Sequence, residues 1–141
     1  MEAMILSGGR GTRLRPITDS IPKPLIPINN TPLIDWSIKY LKKFGITDII
    51  LCNGYRSKQI EKYLKSKNNF GCTIQYSIEK TPLGTAGAIK KAMKKISGKS
   101  FIVINGDIIT NLNLKKITNK SNCIAAIELR TKFGTMKINK N

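Results

Sequence analysis

Four short strand-like runs mark this chain, at residues 2–6, 47–53 ("TDIILCN"), 73–78 ("TIQYSI") and 101–104 ("FIVI"), and helix-period segments separate them. Runs that are apolar on both faces need cover on both sides, and strands that alternate with helices pair in parallel through right-handed crossovers. The pattern predicts an α/β fold with a mostly parallel sheet and helices on both of its faces. Thr31 is expected to cap the first helix, with Pro32 in its first turn; Leu33, Ile34, Ile38 and Leu41 share one face, and Gly45 ends it. Ser57 is expected to cap the second, which runs through Ile60 and Leu64, and "TAGAIKKAMKKI" at 85–96 forms the third before Gly98. The proline-spaced "IPKPLIPINNTP" at 21–32 leaves little room for helix and reads as extended. A chain of 141 residues suits one domain, and it is long enough to bury roughly two thirds of the surface that its unfolded form exposes.

Ligands of such sheets sit outside the carboxyl ends of the strands, so the residues after each strand carry the functional information. The first strand opens into "LSGGRGTRLRP" at 6–16. Neither familiar phosphate loop fits it: Gly11 is followed by Thr12 and Arg13 rather than Lys-Ser or Lys-Thr, and a dinucleotide fingerprint starting at Gly9 would place Leu14 where its third glycine belongs. Glycines nevertheless let backbone N–H groups approach a ligand, and arginines add planar donors suited to phosphate oxygens. The loop therefore reads either as an anion cradle or as a flexible basic turn. The other strands open into "NGY" at 53–55, "EKTPLGTAG" at 79–87 and "NGD" at 105–107, and all four loops are expected to line one edge. Asp107, ending a buried apolar strand, is placed to hold Mg²⁺ together with substrate phosphates; its plainer reading is a turn former.

Composition removes several classes of function. The chain has no histidine, which excludes imidazole acid–base catalysis, histidine-dependent serine triads and mixed Cys/His zinc sites. Cys52, Cys72 and Cys123 are isolated and without CxxC spacing, as expected of reduced, structural cysteines in a cytoplasmic protein. A net charge of +17 favours anionic partners. The lysines are spread over polar helix faces without stacking aromatics between them, which argues against nucleic acid. No apolar run approaches membrane-spanning length, so no membrane partner is expected.

Taken in order, "LSGGRGTRLRPITDSIPKPLIPINNTPLI", "EKTPLGTAG" and "NGD" resemble the sugar-1-phosphate nucleotidylyltransferases of the mannose-1-phosphate guanylyltransferase type, across essentially the whole chain. The resemblance implies the Rossmann-like fold of the nucleotide-diphospho-sugar transferases. It implies that residues 1–141 are the N-terminal, nucleotide-binding part of the nucleotidyltransferase domain, with the remainder absent: a C-terminally truncated chain. The reaction implied is attack of a sugar-1-phosphate on the α-phosphorus of a nucleoside triphosphate, giving a nucleotide-sugar and pyrophosphate. On this resemblance Leu6, Gly8 and Gly9 approach the nucleoside, with Gly84 and Asn105 also at the nucleotide. Gly11, Thr12 and Arg13 hold pyrophosphate, Lys23 neutralises the α-phosphate and sugar phosphate, and Asp107 carries Mg²⁺. Glu79, five residues before Gly84, stands where the family reads the base, and its acceptor-only carboxylate suits the adjacent N–H donors of guanine. Gly134, in "KFG", is expected near the sugar. Other readings stay open: a nucleotide-binding regulatory module without turnover, a UTP- or dTTP-dependent glucose-1-phosphate transferase, or a transferase acting on a cofactor precursor. Apolar surface left by an incomplete domain makes a homo-oligomer possible.

Overall fold

The computed structural model describes residues 1–120 and 122–126. Strand β1 (Glu2–Ser7) leads through a proline-rich stretch that holds the short strands β2 (Pro27–Ile28) and β3 (Thr31–Pro32), then enters α1 (Leu33–Lys43). Next come β4 (Asp48–Asn53), α2 (Ser57–Ser66), β5 (Thr73–Ile78), α3 (Gly84–Ala92), β6 (Phe101–Asn105) and the single turn α4 (Lys115–Thr118). Four strands form one parallel sheet in the order β5-β4-β1-β6. The chain thus builds outward from β1 through β4 to β5, then crosses back to add β6 on the other side of β1. That reversal puts a crevice beside β1.

Alternation along the strands divides the core in two. Ala3, Ile5, Ile49 and Leu51 pack under Ile34, Ile38 and Leu41 of α1 and Ile60 and Leu64 of α2. Met4, Ile50 and Cys52 face the other way, onto Ala88 and Ala92 of α3. Helices therefore do cover both faces, but unevenly. Val103, beside Met4 in register on the α3 face, remains 37% exposed.

The ends of the elements differ from the sequence expectation in four places. Thr31 does not cap α1: it pairs with Ile28 in the small hairpin, and Pro32 occupies the cap with extended φ and ψ. Ser57 is the first residue of α2, behind Arg56, whose φ of 52° supplies the cap without a side-chain bond. The proline segment is not extended throughout, since Lys23–Leu25 closes a 3-10 turn. The third helix stops at Ala92 and continues only as the 3-10 turn Met93–Lys95. Gly45 does end α1, with φ of 74°. Its N–H donates to the Lys42 carbonyl and that of Ile46 to Leu41, a Schellman closure that leaves Ile46 buried beside Leu41.

Candidate active site

The crevice is a cavity of about 810 Å³ at the carboxyl ends of β1 and β6. Leu6, Gly9, Gly11, Thr12 and Arg13 line it from the first strand and its loop, Lys23 from the proline segment, and Asn105 and Asp107 from the end of β6. Sequence elements nearly a hundred residues apart thus meet on one wall. The loop reaches this position because Gly11 adopts φ of 65° and then turns into the 3-10 segment Thr12–Leu14, closed by the Leu14 N–H on the Gly11 carbonyl at 2.8 Å. A side chain at Gly11 would be strained by that φ and would also meet the Thr18 methyl at 2.9 Å.

Lys23 packs its stem against Gly11 and reaches across to Asp107, with Nζ 2.5 Å from the carboxylate. Both groups are only partly buried, 28% and 46% exposed in their side chains, so they stay accessible to a ligand from the cavity. Among the described residues no group of three His, Cys, Asp or Glu is placed to hold a metal. Among the described residues Asp107 is the one carboxylate on the cavity lining. It offers a hard oxygen donor of the kind Mg²⁺ uses when phosphate oxygens supply other positions.

Gly8, Glu79 and Gly84 lie beside the cavity rather than on its lining. Gly8 faces Glu79 so closely that a Cβ there would sit 3.1 Å from the carboxylate oxygen Oε1. The other oxygen, Oε2, accepts the Leu83 N–H at 3.0 Å, and the Glu79 N–H donates to the Asn53 carbonyl at 2.7 Å. Gly84 opens α3 with φ of 67°. Burial, with the Glu79 charge adding to it, pushes the neighbouring Cys52 thiol up to about 11. Gly134 lies outside the described residues.

The "NGY" segment follows β4 at the same carboxyl edge as the glycine loop, as expected, but it is not on the cavity lining. Asn53 is fully buried behind β1, its Oδ1 accepting the Ser7 hydroxyl at 2.6 Å, while its Nδ2 has no partner among the described residues. Sequence reasoning also missed the apolar part of the lining, made by Leu14, Pro24, Ile26, Ile28 and Leu33. Thr18, buried and bonded through its hydroxyl to the Gly11 carbonyl at 2.9 Å, carried no motif that could have found it.

A parallel sheet whose order reverses at β1, with a glycine–arginine loop, a lysine and a strand-end aspartate at that reversal, has the layout of a nucleotide-binding α/β domain. Comparison with known proteins is specific: the nucleotidyl transferase family model matches residues 2–141, and the chain belongs to that family. It is 45% identical over 83% of its length to the D-glycero-alpha-D-manno-heptose 1-phosphate guanylyltransferase of Aneurinibacillus thermoaerophilus. It is 42% identical over 98% of its length to the Campylobacter jejuni protein of the same name. The chain spans 50% and 63% of those two relatives. Among solved structures, HddC from Yersinia pseudotuberculosis complexed with GMP-PN superposes with a TM-score of 0.76 at 39% identity, over 86% of this chain and 54% of that one. A putative glucose-1-phosphate thymidylyltransferase from Bacillus anthracis superposes at 0.78 with 30% identity, over 86% and 51%. The fold expectation, a Rossmann-like parallel sheet of the nucleotide-diphospho-sugar transferase type, is borne out.

Proposed function

We propose that residues 1–141 serve as the nucleotide-binding part of a nucleotidyltransferase domain that transfers GMP from GTP to a sugar-1-phosphate, releasing pyrophosphate. The observation that carries this reading is the convergence of Gly9, Gly11, Thr12, Arg13, Lys23 and Asp107 on one cavity. Backbone N–H groups of the loop and the Arg13 guanidinium hold the β- and γ-phosphates, which leave together as pyrophosphate. Lys23 faces both the α-phosphate and the incoming sugar phosphate and offsets the charge that builds as one phosphate oxygen bonds to the α-phosphorus and the bond to the β-phosphate oxygen breaks. Asp107 would hold Mg²⁺ together with phosphate oxygens, and the ion would supply further charge neutralisation there. No proton-transferring imidazole is required, since positioning and screening lower most of this barrier.

Glu79 favours guanine as the base. One of its oxygens is held by the Leu83 N–H, and the other faces Gly8 at the nucleoside end of the loop. The guanylyltransferase names of the relatives support the same choice. Those relatives are named for a manno-heptose 1-phosphate, and others for mannose-1-phosphate. A manno-configured sugar-1-phosphate is therefore the acceptor, with Gly134 in the segment that approaches it. No helix of the described residues is long and apolar enough to cross a membrane. A cytoplasmic location, where nucleoside triphosphates are made, fits this reaction, and exposed Ile108 and Ile109 beside the site supply apolar surface for self-association.

Two measurements test the proposal. Calorimetry with GTP, UTP and dTTP in the presence of Mg²⁺ is expected to give tightest binding for GTP; weakest binding of GTP would reject the base assignment. Pyrophosphate release from GTP with mannose-1-phosphate or manno-heptose 1-phosphate is expected to fall on the order of a hundredfold or more in Lys23→Met and in Asp107→Asn. Both variants should retain stability within about 1 kcal/mol, because the Lys23–Asp107 pair is partly exposed to solvent and screened by it.

A further inference from the structure

Tyr55 and Arg56 follow β4 and are not on the cavity lining. Their bonds lead back to the loop by another route. The Tyr55 hydroxyl donates to the Thr18 carbonyl at 3.3 Å. The Arg56 Nε donates to that same hydroxyl at 2.9 Å, its guanidinium carbon lies 5.2 Å from the centre of the Tyr55 ring, and its Nη2 donates to the Asp19 carbonyl. Thr18 in turn donates its hydroxyl to the Gly11 carbonyl, the same oxygen that accepts the Leu14 N–H, and its methyl fills the space a side chain at Gly11 would need. Two residues of the β4–α2 connection thus hold the backbone of Thr18 and Asp19, and Thr18 holds the turn that aims Thr12 and Arg13.

We propose that Tyr55 and Arg56 are positioning residues that set the anion-binding turn Gly11–Leu14 by bracing Thr18 and Asp19 from behind. The backbone at Arg56 supports this. With φ of 52° the position favours glycine, yet it carries a side chain whose donors both point away from the helix it begins, toward the braced segment. A side chain present only to start α2 would have no need of that reach, and glycine would start the helix with less strain. The Tyr55 N–H also points at the Gly8 carbonyl, at 3.4 Å, so the same short connection touches the loop at its first glycine and, through Thr18, at its last.

The ligand part of this inference rests on the proposed nucleotide site; the bracing part does not, and the experiment separates them. Tyr55→Phe removes one hydroxyl, and Arg56→Gly removes the guanidinium while relieving the backbone. For the full 141-residue chain, backbone amide exchange, thermal midpoint, and affinities for GTP with Mg²⁺ and for inorganic pyrophosphate are measured in parallel. The expected result is exchange at Gly11–Leu14 accelerated about tenfold in each variant with exchange in β1 and β4 unchanged, since local opening is governed by local contacts. Affinity for GTP and for pyrophosphate should fall about five- to tenfold, with the midpoint of Arg56→Gly unchanged or raised. Unchanged exchange at Gly11–Leu14 in both folded variants would overturn the inference. So would exchange that rises uniformly through the sheet with a lowered midpoint, which would make these residues general structural supports. If the wild-type chain binds neither GTP nor pyrophosphate while loop exchange still responds, the bracing stands and the nucleotide reading falls.

Discussion

The dipeptide Asn-Gly follows the apolar core of both strands that flank β1, as Asn53–Gly54 at the end of β4 and Asn105–Gly106 at the end of β6. In register, Asn53 stands opposite Ser7 and Asn105 opposite Leu6. Both glycines allow the β1 loop to pass close by: a Cβ would lie 2.8 Å from the Gly8 carbonyl oxygen at Gly54 and 2.9 Å from that of Leu6 at Gly106. The asparagines, however, diverge. Asn53 is completely buried and bonded to Ser7, whereas Asn105 is exposed and lines the cavity. β4 lies inside the sheet between β1 and β5, while β6 is the outermost strand among the described residues. The same two residues therefore brace the loop from an interior strand and line the cavity from an outer one.

The glycines should give the largest response. Gly54→Ala and Gly106→Ala each force a methyl into backbone and are expected to destabilise by about 1–3 kcal/mol or more in denaturant unfolding. Gly106→Ala should cost more, because its Cβ would also meet Ile5 and Ser7 at 3.2 Å. Equal, negligible costs would show that β1 is not held tightly on both sides. The asparagines come next, and here the two sites should separate. Asn53→Ala leaves the buried Ser7 hydroxyl without its asparagine acceptor and should lose about 1–3 kcal/mol. Asn105→Ala should stay within about 0.5 kcal/mol of wild type while weakening GTP binding in calorimetry. A reversed order would erase the distinction between brace and wall.

The smallest effect is chemical. Folding raises the Cys52 thiol from its ordinary 9.0 to about 11, chiefly by burial and then by Glu79. At pH 8 a thiol reagent should label exposed Cys123 readily and leave Cys52 untouched. Because the folded pKa is the higher one, this group's contribution to stability is complete below pH 9 and declines as pH rises toward 11. Labelling of Cys52 at pH 8 in the folded protein would mean that the interior end of β4 opens as freely as the edge.

Strand positions were legible because apolar residues on both faces admit few alternatives, and every strand of the main sheet falls within a residue or so of its expected bounds. Caps were less so. Thr31 has the right chemistry for capping, but Pro32, with ψ of 144°, takes the cap position and the hairpin with Ile28 takes Thr31 instead. The cavity's composition was readable from strand ends on β1 and β6. That "NGY" would stay off the cavity lining was not legible, since sequence does not say which strand is interior, and Thr18 was invisible because its role depends on a bond to a carbonyl seven residues away rather than on any motif.

Lys23 and Asp107 meet across a separation of 84 residues. During synthesis the glycine loop and its lysine leave the ribosome long before β6, and through that interval β1 has an unpaired side and Lys23 has no aspartate to meet. The contact is consequently made late, when β6 docks, as expected for one of such long range. A ligand that needs both groups finds them together only once β6 lies against β1.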